Sequence, residues 1–346
     1  MALNLSIMLQ LLWHCCFSFL LIYIFHTGSY SGHWIIATFG LTVILILIRL
    51  HFAGPTYKGL ERLDGKTVLI TGANTGIGKE TAKEMARRGG RVIMACRDLD
   101  KANQAKDEII KETENHKIFV HKLDLASFKS IREFCKTFNA TEERLDILIN
   151  NAGIMMCPKL KTEDGLEMQI GVNHFGHFLL TNLLLDKLKQ CSPSRIVIVS
   201  SLMHMLGQMN FDDLNSERNY GAVRAYSQSK LANMLHVRAL MKRLEGTGVT
   251  VNGLHPGSVD TELQRHFKIF SWTIFKILLK PIKIYFFKNA FKGAQTTIYA
   301  ALDSSLETVS GKYFSDCKPA SASKLSFNDE DAERLWQISE KITQGR

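Results

Sequence analysis

Apolar and polar positions divide the chain into three regimes. From Leu5 to Phe25 almost every position is apolar, and no Lys, Arg, Asp or Glu occurs before Arg49. A run of that length can cross hydrocarbon as a helix. A polar patch, "HTGSYSGH", separates it from a second apolar run between Trp34 and Leu50. The pattern predicts a membrane anchor over residues 1–50, made of one or two helices, and a linker over 51–64. A cleaved signal peptide is the competing reading, but it normally carries a basic stretch ahead of its apolar run, and none precedes this one. Arg49, Lys58, Arg62 and Lys66 follow the second run, which places the rest of the chain on the cytosolic side.

From Lys66 the pattern becomes regular. Short apolar runs at Lys66–Gly72, Arg91–Cys96, Lys117–Leu125, Leu145–Gly153, Arg195–Ser201, Thr250–Gly257 and Gly311–Asp316 read as strands. Amphipathic stretches such as "KETAKEMARRGG", "DKANQAKDEIIKETEN", "SFKSIREFCKTFNA" and "GVNHFGHFLLTNLLLDKL" lie between them and read as helices. Strands alternating with helices predict βαβ units, hence a parallel sheet covered on both faces. No repeat or low-complexity stretch divides the series. The expectation is one α/β domain over 65–346.

Composition adds limits. Hydrophobic residues make up 46% of the 346 positions and charged ones 22%, which suits a folded core. The net charge of +10 could serve nucleic acid, anionic lipid or an anionic cofactor. No zinc-knuckle spacing, aromatic platform or long basic run supports nucleic acid. The seven cysteines are scattered, odd in number and free of C-x-x-C pairs. That fits reduced thiols rather than a disulfide framework or a metal site.

The chemistry-bearing residues sit at strand ends. "TGANTGIGKE" puts Gly72, Gly76 and Gly78 between the first strand and the first helix. Glycines there let the backbone approach a pyrophosphate at a helix N-terminus. The second strand ends in "ACRD", so Arg97 stands where a carboxylate would favour NAD, and an Arg suits a 2′-phosphate. Asp124 follows the third strand and could accept from an adenine amino group or cap the next helix. Asn150, Asn151, Ala152 and Gly153 close the fourth strand, and Ser200 and Ser201 the fifth. Asn173 lies mid-helix, where Asn is a poor former and a buried amide needs partners. In "AYSQSKLAN", Tyr226 and Lys230 are spaced i, i+4, so phenol and ammonium share a helix face. Such a pair is either a surface contact or a cation lowering a catalytic phenol's pKa.

Gly72-x-x-x-Gly76-x-Gly78, Asp124, Asn150-Asn151-Ala152-Gly153, Asn173, Ser201, Tyr226-x-x-x-Lys230 and Pro256-Gly257 occur in the order of the short-chain dehydrogenase/reductase superfamily. The match spans roughly Leu63 to Gly311. "MACRD", "NHFGHFLLTNLLL", "FDDLNSERNY", "SKLAN" and the "YFSDCK" tail resemble the membrane-bound retinol dehydrogenases that use NADP(H). The resemblance implies a Rossmann-type doubly wound sheet. It implies Tyr226 as general acid/base, Lys230 lowering its pKa, Ser201 binding the substrate oxygen and Asn173 holding a relay water. It implies NADP(H) held by Gly72, Asn74, Thr75, Gly76, Ile77, Gly78, Arg97, Asp124, Asn151, Ala152, Gly153, Tyr226, Lys230, Pro256, Gly257, Val259 and Thr261. Two features depart from the pattern. Some NADP-preferring relatives carry a basic residue where Thr75 stands, and the leader has two apolar runs where one anchor is common.

Residues 264–296 contain no acid and interleave Arg265, Lys268, Lys276, Lys280, Lys283, Lys288 and Lys292 with aromatic residues. A basic aromatic stretch reads as membrane-surface binding, with a core helix and solvated lysines as the alternative. Met155, Met156, Cys157, Met203, His204 and Met205 read as an apolar pocket. The expected activity is NADP(H)-dependent hydride transfer between nicotinamide and a lipophilic alcohol or aldehyde, with retinol and retinal foremost. Another lipid carbonyl, or an inactive membrane scaffold, are the alternatives. Expected partners are the lipophilic substrate and membrane lipid, with homo-oligomerisation left open, no nucleic acid and no metal. The resemblance also implies anchoring in the endoplasmic reticulum with the catalytic domain facing the cytosol.

Overall fold

The structure is a computed structural model and describes residues 31–260 and 285–344. It divides into two compact units. One comprises residues 1–54 with 278–287, the other residues 55–277 with 288–346. In the first unit, helix α1 spans Ser31–Ala53. There Arg49 Nη1 donates to the Phe287 carbonyl at 3.2 Å, and the Phe52 and Phe286 rings meet edge-on at 5.0 Å. Among the described residues no helix is long and apolar enough to cross a membrane. The run from Leu5 to Phe25 lies outside the described residues.

The second unit is built on one eight-stranded sheet, in the order β3-β2-β1-β4-β5-β6-β7-β8. The strands are β1 Thr67–Thr71, β2 Arg91–Cys96, β3 Ile118–Lys122, β4 Ile147–Asn150, β5 Ser194–Val199, β6 Val249–Leu254, β7 Tyr313–Ser315 and β8 Lys318–Pro319. All pairings are parallel except β7 with β8. The last strand was not expected. It closes a two-residue turn at Asp316 and Cys317, both in left-handed conformation (φ 51° and 54°).

Two apolar faces follow from side-chain alternation. Leu69, Ile93, Leu148 and Ile196 point to one side of the sheet. They pack under α4 (Phe128–Thr141), α5 (His177–Gln190), α6 (Ala222–Arg243) and the C-terminal α8 (Asp329–Gln344). Val68, Ile70, Val92, Met94 and Ile149 point to the other. Those meet α2 (Gly76–Arg87), α3 (Leu99–Thr113) and α7 (Ala290–Leu302). Each buried Leu, Ile or Phe contributes about 1.5–3 kcal/mol, whereas an exposed pair such as Arg62–Asp64 is screened by solvent and adds little. Apolar packing therefore sets the fold.

Two boundaries differ from the sequence expectation. Residues 55–64, expected as a linker, pack on the sheet unit. Tyr57 N donates to Gln295 Oε1 at 2.9 Å, Arg88 donates to the carbonyls of Gly59 (2.8 Å) and Glu61 (2.9 Å), and Leu63 is buried. Lys288, counted among the membrane-binding lysines, is instead buried and paired to Asp316 at 2.5 Å. Residues 290–296 belong to α7, while residues 264–284 lie outside the described residues.

Candidate active site

The sheet order reverses between β1 and β4, and ligands of open parallel sheets bind beyond the carboxyl ends of strands at such a point. A cavity of ≈ 460 Å³ lies there. Its floor is the turn from β1 into α2. Gly72 and Gly76 take positive φ (65° and 56°), which favours glycine. Gly78 is required for a different reason: a methyl there would lie 2.2 Å from the Gly72 carbonyl oxygen and 2.6 Å from Asn151 Nδ2. Thr75 makes no side-chain cap on α2, so that helix start keeps N–H groups for a ligand. Asn74 and Ile77 complete the turn's share of the lining.

Cations and carboxylates flank this cradle. Arg97, at the end of β2, and Asp124, after β3, both line the cavity. Asp124 is not a helix cap: Ser127 caps α4, and Asp124 Oδ1 accepts from Ala126 N at 2.9 Å. Sequence reading missed Lys101, which also lines the cavity. It stands four residues after Arg97 in the first turn of α3, whose N-cap is Asp98. That i, i+4 spacing was the available signal. Asn151, Ala152 and Gly153 form the opposite wall. Asn151 Nδ2 donates to the Thr71 carbonyl at 2.9 Å, locking the ends of β1 and β4 together.

The four expected catalytic residues converge behind that wall. Asn173 and Lys230 face the Gly153 backbone: a methyl on Gly153 would lie 3.2 Å from Asn173 Oδ1 and 3.6 Å from Lys230 Nζ. Tyr226 and Lys230 share a face of α6, with Nζ 5.7 Å from the phenol ring centroid. Ser201 follows β5 and hydrogen-bonds the Tyr226 side chain. Lys230 Nζ donates to the Val199 carbonyl at 3.0 Å, and Ser200 Oγ to the Lys230 carbonyl at 2.8 Å.

The electrostatics amend one expectation. Burial raises the Tyr226 phenol to about 12, only partly opposed by the Ser201 hydrogen bond. Burial also lowers Lys230 to about 8. Burial thus opposes charge on both side chains: the phenol stays protonated at neutral pH, and Lys230 keeps its ammonium only up to about pH 8.

Asn173 sits in a π-helical turn, Gly171–Gly176, that the sequence pattern did not reveal. Such turns are frequent at functional sites. Its side chain is held by three bonds: Oδ1 accepts from Ile154 N (2.9 Å), and Nδ2 donates to Ile154 O (3.0 Å) and Ser229 Oγ (2.9 Å).

Beyond β6, Gly257 has φ 87°, and a methyl there would lie 2.8 Å from Lys288 Nζ. The Lys288–Asp316 pair thus packs against the Pro256–Gly257 turn. Val259 bridges to Lys288. A methyl on Gly293 would meet Val259 at 2.7 Å and Ile77 at 3.2 Å, so Val259 closes on the glycine-rich turn. Thr261 lies outside the described residues. His204, read as a pocket residue, is buried instead. Its Nδ1 contacts the Ser201 carbonyl at 2.6 Å and its Nε2 accepts from Ser323 N at 3.0 Å, which fixes Ser201 from behind.

The residues present fit a dinucleotide: a cradle that side chains would fill, free helix N–H groups, and two cations where the second strand ends. The sequence profile of the short chain dehydrogenase family matches residues 66–270. The chain is 52% identical over 294 residues to human retinol dehydrogenase 12, covering 84% of this chain and 90% of that one. It is 54% identical over 278 residues to mouse retinol dehydrogenase 11, covering 80% and 86%. Among solved structures, a protein from Mycobacterium paratuberculosis superposes with TM-score 0.67 at 37% identity, over 84% of this chain and 98% of that one. A short chain dehydrogenase from Shigella flexneri complexed with NADP superposes with TM-score 0.59 at 22% identity, over 75% and 100%, and shows the shared fold. The chain belongs to the short-chain dehydrogenase family. It is an oxidoreductase that resembles the retinol dehydrogenases within that family.

Proposed function

We propose that the protein is an NADP(H)-dependent oxidoreductase of a lipophilic alcohol/aldehyde pair, with retinol and retinal as the substrate pair. The observation that carries this is the convergence of Ser201, Tyr226, Lys230 and Asn173 beside a glycine cradle flanked by Arg97 and Lys101. When bound, the nicotinamide supplies the hydride and, once oxidised, a positive charge. Tyr226 donates the proton to the carbonyl oxygen. Its raised pKa keeps the phenol protonated at neutral pH, as a proton donor to a carbonyl must be. Ser201 orients the substrate oxygen and steadies charge there. Lys230 resupplies the proton, and an ammonium that titrates near 8 is suited to exchange at physiological pH.

Arg97 and Lys101 would hold the 2′-phosphate of NADP(H). Hydride transfer to retinal by the full chain in membranes should then be faster from NADPH than from NADH. Arg97→Asp should flatten or reverse that preference, because a carboxylate repels phosphate and accepts from a free 2′-OH. Equal kcat/KM for the two cofactors in the unsubstituted enzyme would refute the assignment.

The apolar leader supports a membrane-anchored enzyme, in the endoplasmic reticulum with its catalytic unit toward the cytosol. A lipophilic substrate dissolved in the same bilayer would be available to an enzyme anchored in this way.

A further inference from the structure

His177 begins α5 directly after the π turn, and it is buried (2% exposed). Its ring nitrogens reach two different parts of the site. Nδ1 lies 3.1 Å from the Asn173 carbonyl oxygen, and Nε2 lies 2.9 Å from Thr71 Oγ1. A carbonyl only accepts, so Nδ1 carries the proton. Burial, reinforced by the Lys230 charge against the bond to Asn173, depresses this imidazole to about 4, so it is neutral at working pH. Nε2 is then bare, and the Thr71 hydroxyl donates to it. The Thr71 oxygen keeps its lone pairs for Asn151 N and Ala152 N, both at 2.9 Å.

The same chain of hydrogen bonds continues past Asn173. Its Nδ2 donates to Ser229 Oγ at 2.9 Å, and Ser229 Oγ donates to the Tyr226 carbonyl at 2.8 Å. Every bond from the Asn151–Ala152 turn to the backbone of Tyr226 therefore has a fixed direction. A neutral imidazole supplies a donor at one edge and an acceptor at the other in this position. A phenylalanine would fill the volume but take away the imidazole's bonds to the Asn173 carbonyl and to Thr71 Oγ1, leaving that hydroxyl only the longer contact to the Ile149 carbonyl at 3.5 Å as an acceptor.

We propose that His177 is a positioning residue for the oxidoreductase reaction. It fixes the cofactor-side turn at Thr71, Asn151 and Ala152 relative to Asn173 and the helix that carries Tyr226 and Lys230. It touches neither substrate nor cofactor. The inference rests on the proposed roles of those residues.

The test uses the full chain. In ¹⁵N spectra of the unsubstituted protein, the His177 imidazole should be an Nδ1–H tautomer, distinguished from the like tautomer of His204 by its loss on substitution, and should not titrate between pH 5 and 8. His177→Phe should remove that signal. It should lower kcat about tenfold or more and weaken NADPH binding measured by fluorescence titration, in protein that is folded by circular dichroism. Thr71→Val should produce a similar loss, the double variant should be no worse than the worse single one, and Thr71→Ser should retain most activity. An Nε2–H tautomer at His177, titration of His177 in that pH window, additive losses, or unchanged kcat and NADPH affinity in His177→Phe would overturn the proposal. The tautomer and the binding coupling are read without turnover, so they stand apart from the substrate assignment. Failure of that assignment would appear as an unsubstituted protein that binds NADPH and reduces no retinal.

Discussion

At the scale of single residues, the buried pair Tyr226 and Lys230 makes a stability claim as well as a chemical one. Lys230 is protonated up to about pH 8 in the folded chain, whereas a free lysine holds its proton to about pH 10.5. Between those values the unfolded chain binds more protons, so stability rises with pH through this window. Below pH 8 the buried charge opposes folding by on the order of 3 kcal/mol. Lys230→Met has no such group. Urea unfolding at pH 7 and pH 9.5 should show the native chain gaining stability on Lys230→Met as pH rises. Parallel curves for the two proteins would contradict the burial of a chargeable Lys230. Tyr226 acts in the opposite sense, but only above pH 10, outside the comparison. Much at this scale was legible in sequence, because Tyr226, Lys230, Ser201 and Asn173 stand at fixed spacings and strand ends. His177 and His204 were not legible as positioning residues. Their partners Thr71 and Ser323 lie 106 and 119 residues away, and no local pattern reports a contact of that separation.

At the scale of elements, the β1–α2 turn shows why three glycines are needed for different reasons. Replacing Gly78 with Ala should favour the helix by about 1 kcal/mol through propensity alone. The added methyl would collide with the Gly72 carbonyl and Asn151, both fixed by β1–β4 pairing, and overpacking against backbone costs about 1–3 kcal/mol. The clash should win. Gly78→Ala should melt at lower temperature and bind NADPH more weakly, and a variant with native melting temperature and affinity would show that the turn has slack. Seven of the eight strands were predicted from alternating apolar runs. The π turn at Gly171–Gly176 was not, because its extra residue leaves the surrounding helical pattern almost intact. The contribution of α8 was also hidden. Its Trp336 packs on Phe178 at 4.8 Å, and Ser339 bonds His174 at 2.9 Å inside the π turn, so the chain's end braces the segment carrying Asn173.

At the scale of the whole molecule, two units make up the chain, one containing the apolar leader and the other the sheet. Removing residues 1–54 leaves all the proposed catalytic residues. If the leader is the anchor, the full chain should float with phosphatidylcholine vesicles at high salt and the shortened chain should not, because screening weakens lysine contacts with lipid but not hydrophobic insertion. Flotation of both at high salt would place the anchor elsewhere. The central claim, however, is that this fold runs hydride transfer with Tyr226 as its proton donor. The most direct measurement is single-turnover oxidation of bound NADPH by retinal in the membrane-embedded full chain, compared between native protein and Tyr226→Phe. The account predicts that the native protein consumes NADPH, while Tyr226→Phe still binds NADPH and loses at least a hundredfold in rate, within the roughly 10²–10⁴-fold contribution of a positioned acid. Substantial turnover in Tyr226→Phe, or none in the native protein despite bound NADPH, would contradict it.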